Sequence, residues 1–343
     1  MSSDYPTRKS VGLFRNEDVG FQQNMPPDST RIPWIDSHSH AHTGSWNDRH
    51  EFDLSGGLAV VMVASSASRA PYRPMTAEDM QSQWDVAIKR CHAISRSHFF
   101  EPYVALAVHT TRTRTENWKT LVEKLPAYAE LDEVIAIGET GISLNTAQVA
   151  DPWPLETQKE VVAKQMAVAR DANVPFICHT PKSMKSTGDR WVRGKTESGH
   201  NLPPSDQLST EDSLDPESAK IDATKIDVQL ANEANLPESR LVIDHANEET
   251  ASYVLENTDC YVGFSMYGHP SHPPIETVAD TIEEYGSDRV VINTDMSGSA
   301  EQRPCALKEV ILDLLRLDVS PSDVRAAVYE NPRDILGLTH LPE

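Results

Sequence analysis

The 343-residue sequence predicts a (β/α)8 barrel. Three observations lead there. Eight short apolar runs, mostly rich in Val and Ile as strands buried on both faces should be, recur between residues 32 and 293. Amphipathic stretches of helical length separate most of them. Single His, Glu and Asp residues end several of the runs, which is where a barrel of this kind carries its reactive groups. An open doubly wound sheet is the competing arrangement. It would carry a glycine-rich phosphate turn after an early strand, and the chain has neither a G-x-G-x-x-G nor a Walker pattern. No repeat of roughly 20 to 50 residues is visible, which sets solenoids aside.

Residues 1–31 show no period and are rich in Ser, Asp, Asn and Pro, so they read as a polar N-terminal tail. The barrel is expected over 32–338, with a short C-terminal tail at 339–343. Its strands are expected at Ile32–Asp36, Leu58–Ala64, Tyr103–Val108, Val134–Gly138, Val174–Cys178, Leu241–Asp244, Cys260–Phe264 and Val290–Asn293. Between them, Asp79–Ser97 places Met80, Trp84, Ala87, Ile88, Cys91 and Ile94 on one helical face. Leu155–Asp171 does the same with Val161, Val162, Gln165, Met166 and Ala169. Both stripes read as core surface. One connection is abnormal: from His179 to Arg240 the chain is several times longer than an ordinary crossover. Its middle, 185–217, is polar with Gly, Ser, Pro and Asp throughout, and reads as an insertion or lid. A helix resumes near Asp222 with Ile226, Leu230 and Ala234 on one stripe.

Composition narrows the function classes. No apolar run approaches the roughly 20 residues of a membrane span, and the first residues lack the apolar centre of a secretory signal. Cys91, Cys178, Cys260 and Cys305 are scattered, with no Cys-x-x-Cys pair, which argues against a zinc ribbon or a disulfide framework and suits a reducing cytoplasm. A net charge of -21 disfavours nonspecific adhesion to nucleic acid or anionic membrane. Only 12 of the 31 basic residues are Lys, and such an acidic, lysine-poor surface is what a halophilic protein carries in a very salty cytoplasm.

The stretch Ile35-Asp36-Ser37-His38-Ser39-His40 organises the candidate site. In a strand, alternate side chains share a face, so His38 and His40 point the same way at a spacing that lets two imidazoles hold one metal ion. A lone His-x-His also occurs as two hydrogen-bonded histidines; here it has company. His109 follows the third run, Glu139 the fourth, His179 the fifth, His245 the sixth and Asp295 the eighth. Each alone has a structural explanation, as a helix cap or a satisfied core histidine, but seven on one rim point to chemistry. A carboxylate can bridge two divalent ions about 3.5 to 4 Å apart, and Glu139 is the natural bridge. The donors suit zinc, manganese, magnesium or nickel. His42, His50, His269 and His272 also fall in rim loops and are left out of the set.

The ordered set Asp-Ser-His-Ser-His, Gly-Glu-Thr-Gly-Ile (138–142), Pro-Phe-Ile-Cys-His (175–179), Val-Ile-Asp-His (242–245) and Asn-Thr-Asp (293–295) resembles the TatD family of metal-dependent hydrolases, within the amidohydrolase superfamily. The terminal Asn331-Pro332-Arg333-Asp334-Ile335-Leu336 is similar to that family's closing helix. The resemblance implies a barrel of the TIM type and a binuclear site with His38, His40 and Asp295 on one ion, His179 and His245 on the other, and Glu139 between. It also implies that His109 lies near substrate phosphate. Two departures stand out: Ile142-Ser143 where the family commonly has Leu-Asp, and Asn247-Glu248-Glu249-Thr250 after His245 where it often has a Phe-Ser-Gly loop.

The expected chemistry is hydrolysis by a metal-bridging hydroxide, with Asp295 accepting the proton and handing it to the leaving group. Segments 65–76, 109–115 and 179–195 hold Arg69, Arg73, Arg112, Arg114, Lys182, Lys185, Arg190, Arg193 and Lys195 against only Asp189. That local reversal of charge points to an anionic substrate, a phosphorylated small molecule or nucleic acid ends. Hydrolysis of carboxylic ester, lactone or amide bonds is the alternative, and a metal-stabilised binding or scaffold barrel is the alternative outside enzymes.

Overall fold

The structure is a computed structural model and describes residues 32–40, 46–64, 76–110, 118–144, 153–180, 216–266, 272–296 and 305–342. Strand β1 (Trp34–Ser39) begins just after Pro33, which has no N–H to give a ladder. It runs three residues beyond its expected end, because Ser37, His38 and Ser39 face a buried interior rather than solvent. Helix α1 (Trp46–Ser55) leads to β2 (Gly57–Ala64), α2 (Ala77–Ser95) to β3 (Glu101–Leu106), and α3 (Trp118–Ala129) to β4 (Val134–Thr140). Helix α4 (Leu155–Ala172), β5 (Phe176–His179), α5 (Pro216–Glu233), β6 (Leu241–Asp244), α6 (Glu248–Asn257), β7 (Tyr261–Ser265), α7 (Ile275–Tyr285) and β8 (Val290–Asn293) continue the alternation. All eight strands are parallel neighbours in chain order. The chain is an α/β protein with the (β/α)8 TIM-barrel fold.

Closure happens at the reactive end. The His40 amide donates to the Met296 carbonyl at 2.7 Å and the Asp295 amide to the His38 carbonyl at 2.9 Å, joining the segment after β8 to β1. The buried Asp36 carboxylate reinforces this seam, accepting from the Thr294 amide at 3.0 Å and its hydroxyl at 2.6 Å.

Helix α2 starts in a capping box: Thr76 Oγ1 accepts from the Asp79 amide and Asp79 Oδ2 from the Thr76 amide, both at 3.1 Å. Its buried face is Met80, Trp84, Ala87, Cys91 and Ile94, with Ile88 at the margin. Helix α4 buries Val161, Val162, Gln165, Met166 and Ala169. Gln165 does more than fill space, since its amide group both accepts from and donates to the main chain of Val108, at 2.7 and 3.0 Å, steadying the end of β3 beside His109. Helix α5 begins at Pro216, earlier than expected; Leu230 is buried, Ile226 and Ala234 pack half-buried against the core, and the buried face widens to take in Ala223 and Asp227. There the Asp227 carboxylate accepts from the Ile142 amide, at 3.1 and 3.2 Å.

After β8, helix α8 (Ala306–Arg316), α9 (Pro321–Arg325), a π turn at Ala326–Glu330 and α10 (Asn331–Ile335) complete the fold. Asn331 Nδ2 donates to the carbonyls of Ser287 and Val290, both at 2.7 Å, which ties the closing helix to the start of β8. Leu341 is buried and the Tyr329 hydroxyl donates to the Pro342 carbonyl, so the chain beyond 338 packs back on the barrel. The N-terminal tail at 1–31 and residues 185–215 of the insertion lie outside the described residues. Among the described residues, no helix is long and apolar enough to cross a membrane.

Candidate metal centre

His38 lies inside β1 and His40 one residue past it, His109 follows β3, Glu139 is within β4, and His179 ends β5. His245 follows β6 directly and Asp295 stands two residues past β8. All seven are buried. The local backbone explains how they arrive. Gly138 has φ +147°, and a Cβ there would stand 2.6 Å from Ile177, so only glycine lets β4 deliver Glu139 this close to β5. His245 and Asp295 take left-handed conformations, φ 57° and 42°.

Glu139 is the hub. Its Oε2 lies 2.6 Å from His179 Nδ1, 3.0 Å from His245 Nε2 and 3.7 Å from His38 Nε2, while Oε1 lies 3.5 Å from His40 Nε2. Asp295 Oδ1 faces the same pair, 3.3 Å from His40 Nε2 and 3.7 Å from His38 Nε2. The His38 and His40 rings are 5.4 Å apart. His109 stacks edge-on against His179 with ring centres 4.7 Å apart, and ligand atoms of His109, Glu139 and His179 lie within 4.8 Å of one another.

A divalent cation fits the first cluster. With bonds of about 2.0 to 2.1 Å, tetrahedral donors stand roughly 3.4 Å apart, close to the 3.3 to 3.7 Å separations among His38, His40, Glu139 and Asp295. His38 Nε2 is buried, makes no hydrogen bond and points into this space. Electrostatics agree. Burial alone would lower His38, yet the charges of Glu139 and Asp244 outweigh it and push the ring up to about 9. Burial alone would raise Glu139, but the imidazoles of His179 and His38 hold it well below the carboxylate range. Asp295 is likewise held well down against its burial, by His272 and His40. The cage calls for positive charge at its centre. In the second cluster His179 and His245 approach Glu139 at hydrogen-bond distance, so a proton satisfies the carboxylate where a second cation could sit.

One hydrogen-bond network orients two of the histidines. His245 Nδ1 meets Ser265 Oγ at 2.7 Å, the Ser265 hydroxyl donates to Asn293 Oδ1 at 2.9 Å, and Asn293 Nδ2 donates to Asp244 Oδ1 at 2.9 Å. Asp244 Oδ2 in turn takes His38 Nδ1 at 2.5 Å. His40 Nδ1 donates to the Val63 carbonyl at 2.9 Å. Each contact places the ring proton on Nδ1 and turns Nε2 toward the centre. Lys220, buried on α5, donates to the His245 carbonyl at 2.6 Å and steadies its left-handed turn.

All seven residues expected from the sequence are on this rim: His38, His40, His179, His245 and Asp295 gather around Glu139, and His109 lies beside His179. The nine basic residues of the rim loops lie outside the described residues, as do His42 and His269; His50 is exposed on α1. Sequence reasoning missed Asp244 and left out His272. Asp244 precedes His245, and strand alternation sends neighbours to opposite faces; the positive φ at His245 breaks that alternation, so both face the centre. His272, just before α7, places Nε2 3.5 Å from Asp295 Oδ2. On the neighbouring strand β7, Gly263 leaves room for Asp244, since a Cβ there would stand 2.5 Å from Asp244 Oδ1.

Comparison with known proteins shows the fold and the family. An uncharacterized metal-dependent hydrolase of Methanocaldococcus jannaschii is 27% identical over 305 residues, 89% of this chain and 100% of that protein. The crystal structure of a TatD-like protein from Archaeoglobus fulgidus shares the fold, with TM-score 0.58 at 21% identity, over 89% of this chain and 100% of that one. A phosphotriesterase homology protein from Escherichia coli, solved with phosphate in its active site, superposes with TM-score 0.57 at 15% identity, over 89% of this chain and 99% of that one. The family model described as TatD related DNase matches residues 35–337. The chain belongs to the TatD family and is a metal-dependent hydrolase.

Proposed function

We propose that the chain is a two-cation phosphoesterase acting on an anionic substrate, a phosphorylated small molecule or nucleic acid ends. The observation that carries the reading is the convergence of His38, His40, His179, His245 and Asp295 on the two oxygens of Glu139 or within 4 Å of one another, with His38 Nε2 aimed into the gap. His38, His40 and Asp295 would hold one ion and His179 and His245 the other, with Glu139 shared between them. Bound there, zinc, manganese or magnesium supplies Lewis-acid polarisation of the scissile bond and acidifies water toward neutral pH.

The remaining roles belong to the chain. Asp295 turns Oδ1 toward His40 and keeps Oδ2 on the other side, where it holds the proton released by the attacking water and returns it to the leaving oxygen. His109, buried against His179, orients the phosphoryl oxygens. The nine basic residues of sequence segments 65–76, 109–115 and 179–195, against the single Asp189, favour an anion on a chain of net charge -21. The DNase description of the matching family, and the phosphate in the E. coli neighbour's active site, support a phosphoester over a carboxylic one. Four scattered cysteines with no Cys-x-x-Cys pair suit a reducing cytoplasm.

Chromogenic phosphodiesters, phosphomonoesters, lactones and amides, each assayed with added zinc or manganese, test the proposal. Turnover of a phosphoester is expected, falling at least ~10²-fold in Glu139→Ala and Asp295→Ala. Turnover confined to lactone or amide overturns the phosphoesterase reading.

A further inference from the structure

We propose that His272 is the positioning residue of Asp295, holding its carboxylate so that one oxygen serves the metal and the other is kept turned away from it. The inference rests on Asp295 being a metal donor. The main chain of Asp295 is fixed by its amide bond to the His38 carbonyl and by a left-handed φ of 42°. That leaves the rotation of the carboxylate itself. The terminal torsion of an aspartate is broad and roughly two-fold, so the backbone does not decide which way the two oxygens lie. Contacts on both sides must. On the β1 side Oδ1 meets His40 Nε2 at 3.3 Å and His38 Nε2 at 3.7 Å; on the β7–α7 side Oδ2 meets His272 Nε2 at 3.5 Å.

His272 is built for this task. Its side chain is only 5% exposed although it sits in a connection, and its ring lies parallel to that of His245, at 9° with centres 6.5 Å apart. Among the described residues it comes from a different βα connection than His38 and His40, and it meets the carboxylate oxygen that those two do not. A carboxylate held in this way binds a cation through one oxygen. Released, it would be free to swing and bind through both, which would raise the coordination number.

Cobalt(II) alone is the probe, because its visible absorption weakens as coordination rises from four to five. The wild-type chain, His272→Ala and His272→Gln are each titrated with Co2+, and hydrolysis of a chromogenic phosphodiester is followed in parallel. The glutamine amide can place a nitrogen where the imidazole Nε2 was. His272→Ala is expected to bind as many Co2+ ions as wild type, with a band weakened about two-fold or more. Its kcat falls about 10- to 100-fold at unchanged KM. His272→Gln keeps the wild-type band and most of the kcat. An unchanged band in His272→Ala overturns the inference, as does a His272→Gln that matches His272→Ala. A wild-type chain that takes up no Co2+ overturns the metal reading itself, a failure distinguishable from either of these.

Discussion

Asp244 Oδ2 and His38 Nδ1 stand 2.5 Å apart, although the two residues are 206 positions apart in the chain. Through this contact a side chain at the end of β6 decides which nitrogen of a β1 histidine faces the metal centre. The contact keeps the ring proton on Nδ1, and Nε2 turns its lone pair inward. Asp244 is itself held well below the carboxylate range: burial would raise it, and His245 and His38 reverse that.

Replacing Asp244 by Asn removes the charge while nearly keeping the shape. Zinc affinity is expected to fall about 10- to 100-fold, as for other partners that orient metal-ligating histidines. Competition against a chromophoric chelator measures it, with far-ultraviolet circular dichroism confirming that the barrel remains folded.

Gly263 offers an indirect route to the same network. A Cβ placed 2.5 Å from Asp244 Oδ1 must displace that carboxylate or the strand carrying it. Gly263→Ala is expected to weaken metal binding about 10-fold and to cost about 1 to 3 kcal/mol of stability, although residue 263 touches no metal. Wild-type zinc affinity in this variant would exclude the network as the determinant of His38 orientation.

Asp227 makes stability depend on pH. Burial pushes its carboxyl up to about 7, above the ordinary value of 3.8, against the lowering bonds from Cys178 and Ile142. Between about pH 4 and pH 7 the folded chain therefore keeps a proton that the unfolded chain has lost, so this group's contribution is complete below pH 4 and declines until pH 7. Asp227→Asn removes that decline. Relative to wild type, its stability should rise by up to about 1.4 kcal/mol per pH unit across this window and then level off. Urea unfolding at a series of pH values checks it, and a pH-independent difference would reject the role given to Asp227.

Self-repulsion at net charge -21 is screened by salt, since the Debye length shrinks from about 10 Å at 0.1 M to about 3 Å at 1 M. The melting temperature is expected to rise steadily as KCl is raised to molar concentration. A melt indifferent to salt would show that the acidic surface serves ordinary solubility and not a saline habitat.

The barrel was legible because its strands are buried on both faces and its helices on one, and both burdens leave a period in the sequence. Val134–Gly138 and Leu241–Asp244 read as strands from their Val and Ile content, and Met80, Trp84, Ala87, Ile88, Cys91 and Ile94 read as one buried face of a helix. The donors were legible for a related reason. Each is a polar residue ending an apolar run, and in a parallel barrel all such ends meet on one rim, so His38, His40, Glu139, His179, His245 and Asp295 could be grouped before any distance was known.

Sequence alone determined the strand count, the rim and the His, Glu and Asp side chains gathered on it. Tertiary structure decided their orientation: Asp244 turned inward beside His245, Asp227 buried on α5 to hold the Ile142 amide, and His272 set against Asp295 from the far side. Periodicity records which face of an element is buried. It carries no trace of hydrogen bonds between residues hundreds of positions apart, nor of single left-handed residues such as His245, and those set the aim of each side chain at the centre.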